Sequence, residues 1–152
     1  MLQSALRILI FLIFAQTAHG QQSRWTVEEK RGSIDVYAEF DPGMQDLWNN
    51  VNDVTRELEE LLGVEPSGES IQIILFRDQA SYLRYLASSI PQSRQRKAIF
   101  YQNGDVCQVY AFRSRTLITD LRHEMTHAIL HQHLQFLPLW VDEGLEIGRA
   151  HV

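Results

Sequence analysis

Between residues 43 and 62, Leu47, Val51, Val54, Leu58, Leu61 and Leu62 recur at spacings of three and four, which winds them onto one stripe of an α-helix. Gly63 follows at the position where a helix end favours glycine, and Asp41-Pro42-Gly43 breaks the chain in front. A one-sided helix of this length needs a second layer to cover its stripe. Strand-like segments on both sides supply one. Residues 25 to 30 and 34 to 40 read as a strand pair turned at Arg31-Gly32-Ser33, and residues 71 to 76 form a short apolar run with turn residues at each end, as in a buried strand. Asp78 can cap a helix running to about Ser88 that buries Tyr82, Leu83 and Leu86.

Residues 98 to 102 and 106 to 112 read as two strands joined by Asn103-Gly104-Asp105, a strong hairpin signal. A long helix follows over about 116 to 134, with Thr116 or Ser114 as its cap and Leu117, Leu121, Met125, Ala128 and Ile129 as its buried face. Pro138 then suits the first turn of another helix reaching about Gly148. The expected class is α+β, a mixed sheet with an antiparallel edge hairpin packed on helices.

The one long apolar run, residues 8 to 15, is too short for a bilayer that needs roughly 20 residues in a helix. It stands behind Arg7 and ahead of Ala18-His19-Gly20, with small residues where a signal peptidase reads. Residues 1 to 20 are therefore expected to be a secretory signal cleaved after Gly20, leaving residues 21 to 152 as one secreted or periplasmic domain without a membrane span. That mature chain carries 13 basic and 19 acidic side chains, which argues against a nucleic-acid partner. Cys107 is the single cysteine, so no intrachain disulfide can form, and stability must come from the core and from any bound metal. The charge is divided along the chain. Residues 28 to 69 hold twelve acids against three bases, and residues 77 to 122 hold eight bases against three acids. The densest basic stretch, Ser93-Arg94-Gln95-Arg96-Lys97, has no interleaved aromatics and reads as a solvated loop, with an anionic contact surface as the alternative.

The long helix carries His123-Glu124-Met125-Thr126-His127, the HExxH pattern. Four helical residues turn through about 400° and rise about 6 Å, so both imidazoles stand on one face and can grip one ion. Glu124 lies about 100° round from His123, where its carboxylate can take a proton from a metal-bound water. Catalytic zinc usually has three protein ligands, and Glu143, sixteen residues after His127 on the next expected helix, can complete a His₂Glu set.

These residues resemble the gluzincin branch of the zincin metallopeptidases, and most closely the peptidase-MA-like domains with their Leu-Pro-x-Trp-x-x-Glu-Gly segment, here Leu137-Pro138-Leu139-Trp140-Val141-Asp142-Glu143-Gly144. The motif match covers residues 117 to 148. The resemblance implies a zincin upper subdomain, one Zn²⁺ held by His123, His127 and Glu143, Glu124 as general base and acid, and hydrolysis of peptide bonds. It also implies an edge strand that holds an extended peptide or protein substrate, expected at Val106 to Phe112.

His133 stands at the distance a metzincin uses for its third ligand, but Leu130 occupies the place of the glycine at which that helix breaks. His131 and His133 are thus expected as ordinary polar positions. The gluzincin Asp four residues after the Glu ligand is replaced by Ile147, and Asp120, Asp142 and Glu146 receive no assigned role. Trp140 and Leu139 are expected in the core. Nine residues follow Glu143, where the family continues into a lower subdomain, so most of that subdomain is expected to be lacking. Tyr101 or Tyr110 can be considered in place of its oxyanion-holding residue, beside their plainer role in an amphipathic strand. Two alternatives to the enzyme follow: a zinc-stabilised peptide-binding domain with little catalysis, and a metal-free packing domain.

Overall fold

A computed structural model describes residues 24–90 and 96–134. The expected signal, residues 93–95 of the basic stretch, the helix opened by Pro138 and Glu143 itself lie outside those residues.

Strand β1 (Val27–Arg31) turns through Gly32 and Ser33 into β2 (Ile34–Ala38), antiparallel, with Val27 opposite Ala38 and Arg31 opposite Ile34. In β2 the period of two decides the layers: Ile34, Val36 and Ala38 are buried on one face. Helix α1 (Met44–Leu62) crosses that face and buries Leu47, Trp48, Val51, Val54 and Leu58. Leu61 and Leu62, expected in the stripe, are instead exposed. Both stand in the last turn of α1, just before its exit at Gly63, while Val64 beyond it returns to the core. Gly63 closes the helix in the left-handed region at φ 66°, its N–H donating to Glu59 O at 2.8 Å.

Strand β3 (Ile71–Phe76) lies parallel to β2, with Ile34 beside Ile71. It is central and covered on both faces, which accounts for its continuous apolar run. Helix α2 (Gln79–Ser89) packs on the opposite face from α1, and Asp78 caps it by accepting from Ser81 N at 2.7 Å. That bond, chief among several, holds the Asp78 carboxyl below its ordinary range. Tyr82 and Leu86 are buried as expected, and Leu83 is half-buried.

The hairpin of β4 (Ala98–Asn103) and β5 (Val106–Phe112) turns through Gly104, at φ 60°, and Asp105. Strand β5 runs parallel to β3 and antiparallel to β4, so the sheet order is β1-β2-β3-β5-β4. This corrects one expectation: Val106–Phe112 is an inner strand, and the edge beside the following helix is β4. The reason is visible in burial. Cys107, Val109 and Ala111 are covered on one face of β5 and Tyr110 on the other, a pattern an edge strand does not require.

Helix α3 (Leu117–His133) lies beside α1 on the same face. Thr116 precedes it, but its hydroxyl donates to Asp120 Oδ2 at 2.7 Å and accepts no backbone N–H, while Ser114 Oγ accepts from Thr116 N. Neither is the side-chain cap that was expected. The fold is α+β, a mixed five-stranded sheet with three helices among the described residues. None of these helices is long and apolar enough to cross a membrane.

Candidate metal centre

The site stands on a helix held along its length. Arg122 reaches α1 through Glu57 at 2.8 Å, and Thr126 Oγ1 donates to Arg122 O at 2.9 Å. At the far end Gln132 bonds Ser67 N and Glu69 O, and His133 meets Glu65 O. Leu121, Met125, Ala128 and Ile129 anchor the face beneath, each at most 1% exposed. Side chains on such a helix keep their separations, which a metal site needs.

On it the Nε2 atoms of His123 and His127 are 3.3 Å apart, with the rings nearly perpendicular at 78°. Two nitrogens bound to one tetrahedral zinc at about 2.0–2.1 Å stand roughly 3.3 Å from one another. That separation fits two zinc ligands, and equally a hydrogen bond between the two rings. His127 is buried and His123 half-buried, so the pair sits at the rim of the core with one side toward solvent.

Glu124 lies between this pair and the sheet edge. Its Oε2 accepts the backbone N–H of Phe100 at 2.6 Å, and its Oε1 is 4.0 Å from His123 Nε2. Phe100 is on β4, where an edge strand turns every second N–H outward, and one of those outward donors meets the carboxylate. The Phe100 ring stacks on His127 at 6.4 Å between centroids and lies against His131 at 5.0 Å. No sequence signal marked Phe100. Its role depends on where β4 lies beside α3, and the hairpin pattern alone leaves that open.

The remaining candidate side chains have neighbours of their own. His133 is exposed and turned to the Glu65 carbonyl, away from the imidazole pair, as the unbroken helix at Leu130 predicts. His131 packs on Phe100. Asp120 is engaged at the helix start by Thr116. Tyr110 is buried on the α2 face, its hydroxyl donating to Gln108 Oε1 at 2.9 Å, and Tyr101 pairs with Gln108 across the hairpin, on the side opposite Phe100. Both tyrosines thus lie on the face away from the imidazole pair. Among the described residues no group of three His, Cys, Asp or Glu side chains is disposed around one metal position.

Compared with protein-family models and with curated proteins, the chain finds no significant match to either.

Proposed function

We propose that this chain is an exported zinc metallopeptidase of the zincin type, with His123, His127 and Glu143 as ligands of one Zn²⁺ and Glu124 as general base. The observation that carries the reading is the 3.3 Å separation of the two Nε2 atoms, with a buried carboxylate beside them. Zinc bound there supplies Lewis acidity toward a carbonyl oxygen and acidifies water. Glu124 Oε1, on the side of His123, accepts a proton and later returns it to the leaving amine. The Phe100 N–H fixes the other oxygen, so the carboxylate presents one oxygen in one orientation. Strand β4, the edge strand among the described residues, offers the part of its edge not taken by Glu124 to an extended peptide, and the Phe100 ring stacks on His127 at that side.

A second reading, a zinc-stabilised peptide-binding domain with little turnover, is favoured by the same tether. A carboxylate only 7% exposed and bonded to the strand at 2.6 Å is well held but restrained from following a proton.

Metal analysis and a peptide-hydrolysis assay of the purified protein separate the two. One equivalent of zinc is expected in the wild type, falling sharply in His127→Ala and Glu143→Ala. Glu124→Gln is expected to retain the zinc and lose hydrolysis by about 10²–10⁴-fold. Zinc binding without chelator-sensitive hydrolysis in the wild type selects the binding domain, and zinc content unchanged in His127→Ala rejects both readings.

A further inference from the structure

The second feature built for chemistry lies on the other face of the sheet. Five strands about 4.8 Å apart make a surface about 19 Å wide, and a helix is about 10 Å across. Among the described residues, helices α1 and α3 cover one face and α2 part of the other. Beside it opens a cleft of about 650 Å³, lined by Arg24, Glu39, Arg77, Ser81, Arg84 and Tyr85, among others.

Its floor is a fixed ionic lattice. Glu39 is 8% exposed, with Oε1 accepting from Arg24 Nε at 2.7 Å and Oε2 accepting from Arg77 N at 3.1 Å. The Arg77 guanidinium approaches that same oxygen at 3.6 Å. Burial alone would raise the Glu39 carboxyl, yet these donors hold it below its ordinary range, so it stays ionised and anchors both arginines. The Arg24 guanidinium lies 5.1 Å from the ring centroids of Trp25, Phe76 and Tyr85, which fixes its plane while only Nε is spent on Glu39. Arg84 is exposed on α2 and forms no ion pair among the described residues. Three guanidiniums thus share the cleft with two carboxylates, Glu39 and Asp78, each already bonded, in a chain whose net charge is −5.

We propose that this cleft binds a small organic ester of a tetrahedral oxyanion, phosphate or sulfate. Guanidiniums from three separate segments suit a group whose oxygens point in several directions better than a planar carboxylate. The volume is that of a small-molecule site and far exceeds a bare anion, and Tyr85 supplies a wall for the organic part. The proposal is independent of the histidine pair, which lies across the sheet.

Calorimetric titration of the full chain with phenyl phosphate, phenyl sulfate and inorganic phosphate at matched ionic strength tests it. Saturable binding of phenyl phosphate or phenyl sulfate is expected, weakened about tenfold or more in Arg84→Glu and less in Arg84→Gln. Whichever ester binds more tightly identifies the oxyanion. Because Arg84 is exposed and forms no ion pair among the described residues, both variants are expected to melt with the wild type, which separates lost binding from lost folding. Equal affinity for inorganic phosphate would overturn the ester assignment. Absence of saturable binding, or identical isotherms for wild type and Arg84→Glu, would overturn the site itself.

Discussion

The two faces of the sheet are built from different materials. The face under α1 and α3 is mainly aliphatic around the buried ring of Trp48, with Val36, Ile71, Ile73, Leu75 and Val109 from the strands meeting Leu47, Val51, Leu121 and Ile129 from the helices. The face under α2 is aromatic, with Phe76 against Tyr82 at 5.7 Å and Tyr85 at 5.2 Å, and Tyr82 against Phe112 at 5.2 Å. Two helices of 19 and 17 residues lie over the first face, whereas among the described residues one of 11 covers part of the second. Branched side chains fill a closed layer to high density, and large rings with polar tips suit a layer that ends in solvent. The difference explains where chemistry can reside. The closed face provides a rigid rail on which two imidazoles hold a metal-like separation, and the open face provides a cleft.

The comparison breaks most readily on the closed side. Trp48 is 1% exposed, and Trp48→Ala is expected to lower unfolding free energy by about 3–5 kcal/mol, measured by denaturant titration. A loss below about 1 kcal/mol would show that the α1 layer is not close-packed. Zinc is expected to stabilise the same side by about 2.7 kcal/mol at a hundredfold excess over its dissociation constant. Exhaustive chelation should then lower the melting temperature of the wild type and leave that of His127→Ala unmoved.

On the open side the expected effects are smaller and depend on pH. The folded carboxyl of Glu39 is lowered from its ordinary value, so its contribution is present above about pH 4.3 and is lost as the pH falls through the lowered folded value. Glu39→Gln should cost about 1–2 kcal/mol near neutrality, a modest figure because Arg24 and Arg77 are largely exposed. The variant should also flatten the acid limb of the stability profile. Tyr82 gives the smallest change and the opposite sign. Its hydroxyl is buried without a hydrogen-bond partner among the described residues, and burial, aided by the Glu124 charge, raises the phenol above its ordinary value. Tyr82→Phe is expected to gain about 1 kcal/mol. The neutral phenol favours the folded state fully below about pH 10, and that share disappears as the pH climbs through the raised folded value. The variant should therefore resist alkaline unfolding less steeply dependent on pH, as followed by circular dichroism.

The element boundaries were largely legible because they depend on local patterns. Residues 71 to 76 and 106 to 112 are strands at the expected bounds, and α1 and α3 lie within a residue of theirs. The histidine pair was legible for the same reason, since a four-residue helical spacing brings two side chains onto one face without help from the rest of the chain. The edge strand was not. Both arms of the 98 to 112 hairpin have amphipathic character, and only pairing with β3, 36 residues earlier in register, decides which arm is inside. Phe100 as the partner of Glu124, 24 residues away, and Glu39 as the partner of Arg77, 38 residues away, were hidden for the same reason. The exposure of Leu61 and Leu62 was also beyond a periodicity argument, because periodicity gives a direction around the helix and says nothing of where along it the packing ends.

The amino-acid order alone determined the helices, the strands, the hairpin and the spacing of His123, Glu124 and His127, since period, caps and turn residues act over a few positions. Tertiary structure decided that β4 is the edge strand beside α3 among the described residues, that its Phe100 amide holds Glu124, and that Arg24, Arg77 and Arg84 gather around one cleft. Those facts depend on contacts between distant segments, whose free energies are realised only when the whole sheet has assembled and each buried polar group has to find a partner.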